Sequence, residues 1–153
     1  MELKRIRADD WKLWRDVRLK ALADAPDAFY ATLEQEQAYD EDRWRDWLQS
    51  HGVQIVALEG AEPVGVVGGH LGGEGAELYG MWVAPAARGS GLGENLVREV
   101  IGWAAEQGHE RLRLWVADDN ARAMRFYEKL GFTMADQTWP DPRRHAHYKL
   151  MSR

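Results

Sequence analysis

The 153-residue chain has no cysteine at all. That excludes disulfides, zinc–thiolate and iron–sulfur sites, and any thiol nucleophile. It also fits a reducing compartment, so a cytoplasmic location is the expectation. No apolar run approaches the roughly 20 residues a membrane-spanning helix needs, so no membrane partner is expected. Positive charge is in short supply: 20 Lys and Arg stand against 25 Asp and Glu, a net of −5. The resulting pI near 5.5 argues against a nucleic-acid partner held by bulk charge. Internal repeats and low-complexity stretches are absent too, which removes solenoids and propellers.

What is present suits one domain spanning residues 1–153. A chain of this length buries roughly 68–70% of its unfolded surface, enough for a core without staples. Its acidity is uneven: residues 1–76 carry nine basic against fifteen acidic side chains, and residues 77–153 eleven against ten. An acidic half beside a near-neutral half suggests two kinds of ligand-facing surface.

Periodicity predicts the order β-α-α-β-β-β-α-β-α-β-β, an α+β domain with a mixed, mostly antiparallel sheet flanked by helices. Glu2 to Arg7 reads as a first strand. Asp9 is placed to cap a helix over 10–24, and a second helix covers 40–49. The β-branched runs 53–59 and 64–71 form a hairpin, and 77–83 adds a third strand. Strict alternation along it puts Glu77, Tyr79, Met81 and Val83 on one face and Leu78, Gly80 and Trp82 on the other. A helix over 91–107, a strand over 111–117, a helix from Asn120 to Leu130 and a closing strand pair over 132–136 and 145–151 complete the chain.

The loop Arg88-Gly89-Ser90-Gly91-Leu92-Gly93 follows a strand and opens a helix. Glycines allow close backbone approach, and a helix N-terminus offers unpaired N–H groups to phosphate oxygens. A P-loop would need a Lys after its last glycine, and none follows Gly93. A dinucleotide fingerprint would need glycine where Glu94 stands, within an opening βαβ unit. Both common nucleotide readings fail.

The loop does fit Gln/Arg-x-x-Gly-x-Gly/Ala, and so resembles the pyrophosphate loop of the GNAT superfamily of acyl-CoA N-acyltransferases. Met81-Trp82-Val83-Ala84-Pro85 resembles that family's fourth strand and its exit. The stretch from Asn120 to Phe132 resembles its second cofactor motif. The resemblance covers essentially the whole chain and implies an N-acetyltransferase that moves the acetyl group of acetyl-CoA directly to a primary amine. Backbone groups of Met81, Trp82 and Val83 would pair with the pantetheine amides as an added strand. The N–H groups of Arg88, Gly89, Ser90, Gly91, Leu92 and Gly93 would hold the pyrophosphate, and Asn120 would hydrogen-bond the pantetheine region. Tyr127 would protonate the departing thiolate.

An amine with a pKa near 10 must lose a proton before it attacks. Glu77 is the first candidate base, with His70 and Glu34 as competitors. Acceptor selection is expected in the segment holding Phe29, Tyr30 and Glu34, and in the last hairpin through Trp139. There, aromatic rings and carboxylates suit an amine with an apolar or cationic body. The rings of Trp11, Trp14, Trp44 and Trp47 read instead as helix-to-sheet packing. His145 and His147 share a strand face without an evident third ligand, so no metal is expected. A small-molecule or short-peptide acceptor is preferred. A protein N-terminal or lysine acetyltransferase and a non-catalytic acyl-CoA-binding module are the alternatives, with a monomer or homodimer as the assembly.

Overall fold

The structure, a computed structural model, describes residues 1–50, 52–140 and 147–153, without the side chains of Trp139, Pro140 and His147. Its elements are β1 (Glu2–Arg5), α1 (Trp11–Asp24), α2 (Leu33–Gln37), α3 (Glu41–Gln49), β2 (Gly52–Glu59), β3 (Glu62–Gly72), β4 (Gly75–Val83), α4 (Leu92–Glu106), β5 (Leu112–Ala117), α5 (Ala121–Lys129), β6 (Thr133–Pro140) and β7 (His147–Ser152). They build a seven-stranded sheet in the order β1-β2-β3-β4-β5-β7-β6. All neighbours run antiparallel except β4 and β5, which α4 connects as a parallel crossover.

The mostly antiparallel sheet agrees with the expected class, and the element order departs from it by one helix. That helix is α2, where Thr32 accepts from Gln35 N–H at 3.2 Å and the Gln35 side chain accepts from Thr32 N–H at 3.1 Å. This reciprocal cap stabilises a single turn too short for hydrophobic periodicity to reveal. Asp9 does not cap α1. Asp10 sits at the boundary, its carboxylate accepting from Arg7 N–H at 3.0 Å. Asp40 caps α3 as its position implies, accepting from Arg43 N–H at 2.9 Å.

Two layers of helix cover the sheet. On one face, α4 lays down Leu92, Leu96, Val97, Val100 and Trp103, all buried. Their spacing is a helical stripe, and removing a buried leucine such as Leu96 would cost about 2–5 kcal/mol. The other face carries α1 and α3, joined by rings. Trp14 meets Trp47 edge-on at 5.3 Å, and Trp44 stacks on Trp47 at 5.7 Å. Trp11, Trp14 and Trp44 are buried, which bears out their reading as packing residues.

The strand β4 is not regular. Across the β3–β4 ladder Gly68 faces Tyr79 and Val66 faces Trp82, so β4 carries one extra residue between these pairs. This is a β-bulge, and Gly80 sits in it with φ +64°, a left-handed conformation that only glycine adopts cheaply. The expected alternation is therefore wrong beyond Tyr79. Glu77, Tyr79 and Trp82 lie on the α1/α3 face, where Trp82 Nε1 donates to Asp24 at 2.9 Å. Met81 turns to the α4 face, where a Cβ on Gly93 would lie 3.2 Å from its Cε.

Candidate active site

Beyond the bulge the sheet opens. β4 and β5 pair only through Ala76 with Leu112 and Glu77 with Arg113, and the rest of the two strands diverges. Ala84 N–H donates to Val64 O at 2.8 Å, which closes the β3 side of β4. Bonding alternates along an antiparallel edge, so Trp82 turns its backbone to β3 as Ala84 does. Val83 presents its backbone to the opening. Of the three residues expected to offer backbone groups, Trp82 is thus the exception. The Val83 carbonyl accepts from Arg88 Nε at 3.0 Å, so its N–H is the freer of the two groups while Arg88 holds this position.

The glycine loop closes the wide end of this opening. Gly89 and Gly91 have φ of +81° and +86°, and a Cβ at either would meet nothing within 4 Å. Gly91 is the N-cap of α4 and supplies no side-chain cap, so the first N–H groups of a 15-residue helix are left for a ligand. The Arg88 side chain folds back, donating to Asp24 at 2.8 Å. The Ser90 hydroxyl donates to the Ala87 carbonyl. The Asn120 oxygen accepts from Ala123 N–H at 3.1 Å and caps α5, leaving the amide nitrogen as the group that can donate. Asn120, Asp119 and residues 24–28 line an open cleft of about 380 Å³.

Tyr127 is buried on α5, edge-on to Phe126 at 5.2 Å and Phe132 at 5.6 Å. Burial alone pushes its pKa above the usual phenol value, so the hydroxyl is protonated at neutral pH.

Two of the three candidate bases turn out to be one unit. Glu77 Oε2 lies 2.6 Å from His70 Nε2, and Glu77 Oε1 lies 3.6 Å from Arg113 Nε. Burial pushes the Glu77 carboxyl up, but the hydrogen bond and charge of His70, the charge of Arg113 and the Trp115 indole outweigh it, and its pKa is lowered. The Glu77 hydrogen bond, opposed by partial burial and aided by the Glu77 charge, raises His70.

Glu34, the third candidate, is exposed. Its neighbour Glu36 points inward instead, 2.8 Å from Arg18 Nε, with a second bond of 3.0 Å to the same guanidinium. Both side chains are under a tenth exposed, at 3% and 7%. Phe29 is buried, with that guanidinium over its ring at 4.9 Å and over the Trp47 ring at 5.2 Å. Arg43 likewise covers Tyr39 at 4.6 Å. Of these rings, Phe29 is the one expected to attract a cationic acceptor, and the guanidinium of Arg18 already lies over it. Tyr30 remains 45% exposed, edge-on to Tyr148 at 6.2 Å. The Trp139 side chain and His145 lie outside the described residues, as does the side chain of His147.

With this geometry established, comparison with known proteins decides the family. The family model for acetyltransferase (GNAT) family matches residues 14–132. The chain belongs to the GNAT family. A mycothiol acetyltransferase from Kocuria rhizophila is 33% identical over 132 residues, covering 80% of this chain and 42% of the relative. One from Amycolatopsis mediterranei is 37% identical over 101 residues, covering 60% of this chain and 33% of the relative. The chain thus spans less than half the length of these curated relatives. Among solved structures, a GNAT acetyltransferase from Streptococcus pneumoniae superposes with a TM-score of 0.83 at 18% identity, over 99% of this chain and 97% of its own. An aminoglycoside 6'-N-acetyltransferase complexed with coenzyme A gives 0.74 at 17%, over 100% and 96%. At these identities the two structures speak for the GNAT fold alone.

Sequence reasoning did not find Arg18, Glu36, Asp24, Tyr79 or Arg113 as site residues. One signal was available. Trp14, Val17, Arg18, Ala21 and Leu22 form a single buried stripe on α1, and a charge inside an apolar stripe needs a buried partner. Nothing comparable pointed to Tyr79, whose hydroxyl accepts from Trp47 Nε1 at 2.8 Å and Gln54 Nε2 at 3.1 Å.

Proposed function

We propose that this chain transfers the acetyl group of acetyl-CoA directly to a primary amine on a small molecule or short peptide. The observation that carries the reading is the opening between β4 and β5, which widens toward the left-handed glycines that cap α4. Extended backbone at its mouth suits a ligand that pairs like a strand, and the helix N-terminus suits a pyrophosphate. Acetyl-CoA has both parts, and when bound it supplies the activated acyl group and its own leaving thiol. The chain supplies the rest. Loop N–H groups from Arg88 to Gly93 orient the phosphates, and Val83 N–H and the Asn120 amide hold the arm. Tyr127, kept protonated by burial, donates to the departing sulfur. The His70–Glu77 pair receives the proton that the amine must lose.

Phe29 drops out as an acceptor contact in this reading, because it is buried with Arg18 over its ring. Tyr30, Glu34 and Trp139 stay as candidates. The name of the curated relatives couples acetyl transfer to mycothiol, which favours a small molecule over a protein acceptor. A protein N-terminal or lysine acceptor and a purely acyl-CoA-binding role are the competing readings.

Thiol release from acetyl-CoA, followed with spermidine, tyramine, lysine and an alanine-initiated pentapeptide, separates these readings. Turnover with one of the small amines supports the proposal, and turnover with the pentapeptide alone moves the acceptor to protein N-termini. Binding of acetyl-CoA without release from any acceptor supports the binding module. In the same assay Tyr127→Phe is expected to lower kcat by about 10²–10⁴ while leaving the KM for acetyl-CoA near wild type. A loss under tenfold would remove Tyr127 from the acid role.

A further inference from the structure

Within the His70–Glu77 unit, the geometry points to His70 as the group that takes the amine proton and to Glu77 as a positioning residue held by Arg113. This deepens the transfer reading above and rests on it. Three observations carry it.

First, both carboxylate oxygens of Glu77 face basic groups, one through a hydrogen bond and the other at ion-pair range. Oε2 meets His70 Nε2 at 2.6 Å, and Oε1 faces Arg113 Nε at 3.6 Å. The Trp115 indole donates to the same carboxylate. An anion surrounded by donors holds protons poorly, because each donor stabilises its charged form. Second, exposure runs the other way from what a carboxylate base requires. The His70 side chain is 44% exposed and that of Glu77 only 18%, so the imidazole is the more accessible of the two. Third, a carboxylate on Nε2 keeps that nitrogen as the donor, which leaves Nδ1 as the atom whose protonation state changes. This is the arrangement by which a buried carboxylate orients a histidine base and stabilises its cation.

The groups facing His70 come from β4, β5 and β3 itself, while β2 sets Gly52 opposite it. Glu77 and the ring of Tyr79 belong to β4, with Tyr79 at 5.5 Å centroid to centroid. Arg113 from β5 opposes protonation, and the Leu71 backbone on β3 favours it. The Glu77 bond is the largest of these influences and sets the direction, so His70 titrates above its ordinary 6.5.

In the transfer step, His70 Nδ1 accepts one proton from the ammonium, and the freed lone pair forms the N–C bond at the thioester carbonyl. The C–S bond breaks with its electron pair on sulfur, which takes the Tyr127 proton. The second amine proton replaces the one Tyr127 gave up. One proton per turnover is released when His70 returns to its neutral form.

The test is the pH profile of kcat/KM from thiol release, with whichever of spermidine, tyramine, lysine and the pentapeptide reacts fastest. Wild type, H70Q, H70A and E77Q are compared, with thermal melts to show that each folds. The wild-type rate is expected to rise through an apparent pKa above 6.5. That limb should coincide with the titration of the His70 ring followed by NMR in the unmutated protein, which needs no variant to fold. H70Q should abolish the limb and lose about 10²–10⁴ in rate, and added imidazole should restore part of the H70A activity. E77Q should keep the limb, move it to lower pH, and lose less. The assignment is overturned if E77Q abolishes the limb while H70Q only moves it, if neither substitution changes it, or if the ring titration and the kinetic limb disagree. Failure of the unmutated protein to release thiol with any of the four amines removes the transfer reading itself, and this assignment with it.

Discussion

Replacing Glu36 with glutamine tests the buried charge most directly. Arg18 and Glu36 meet through two bonds of 2.8 and 3.0 Å, 7% and 3% exposed, with the guanidinium over the rings of both Phe29 and Trp47. Glutamine keeps the shape and one acceptor but leaves the Arg18 cation in a dry site without its counter-charge. Breaking a buried pair in this way costs about 3–5 kcal/mol. For a chain of this size each kcal/mol moves Tm by about 2–4 °C, so a drop of roughly 6–20 °C is expected. The paired control is Arg18→Met with Glu36→Leu, which removes both charges and leaves apolar side chains against the two rings. Such replacement is often neutral or stabilising, so the double variant should melt near or above wild type. Urea unfolding by tryptophan fluorescence gives the same comparison at constant temperature. An E36Q protein within 1 kcal/mol of wild type, or a double variant as unstable as the single one, would refute the claim that this site is desolvated. Because the pair ties α2 to α1, E36Q should also raise the KM for the amine more than the KM for acetyl-CoA.

The bulge offers a second test. Gly80 has φ +64°, and a Cβ there would stand 2.9 Å from a terminal nitrogen of Arg18. Gly80→Ala should therefore cost about 1–2 kcal/mol from the left-handed backbone alone, read as a lower urea midpoint, and more if Arg18 cannot give way. An unchanged midpoint would mean that the bulge relaxes. Asp24 gives a pH signature. Its hydrogen bond from Trp82, aided by Arg88 and opposed by desolvation, lowers its pKa below the ordinary 3.8. A group lowered on folding contributes stability above its unfolded value and loses it as pH falls through the folded one. The Tm gap between wild type and Asp24→Asn should be present at pH 6 and close as pH drops below about 4. A gap that stays constant with pH would assign the effect to something other than the Asp24 charge.

Much of the site was open to reading along the chain because its parts are local. A glycine loop between a strand and a helix, and Asn120 heading a helix seven residues before Tyr127, are patterns of adjacent residues, so spacing alone exposes them. The phosphate site proposed for the loop belongs to the same kind, since backbone N–H recognition depends on conformation that glycine encodes directly. The acceptor side was not legible in the same way. Glu77, His70 and Arg113 come from three different strands, and Arg18 and Glu36 from two helices. Their meeting depends on strand register and helix docking, which no local pattern carries. Glu34 and Glu36 illustrate the limit: both are carboxylates two positions apart, and only the docking of α2 buries one and exposes the other.

The sequence by itself therefore determined the sheet class, the order of all elements but α2, and the glycine loop that opens α4. Each of these follows from hydrophobic period or from glycine's own conformational range. Only the tertiary structure decided the direction of side chains beyond the bulge, the burial of Arg18 with Glu36, and the union of His70 with Glu77. The bulge is the physical reason for the first: one extra residue inverts every later side chain in β4. For the two pairs the reason is desolvation, because only a packed interior makes a lone charge costly enough to demand a partner from elsewhere in the chain.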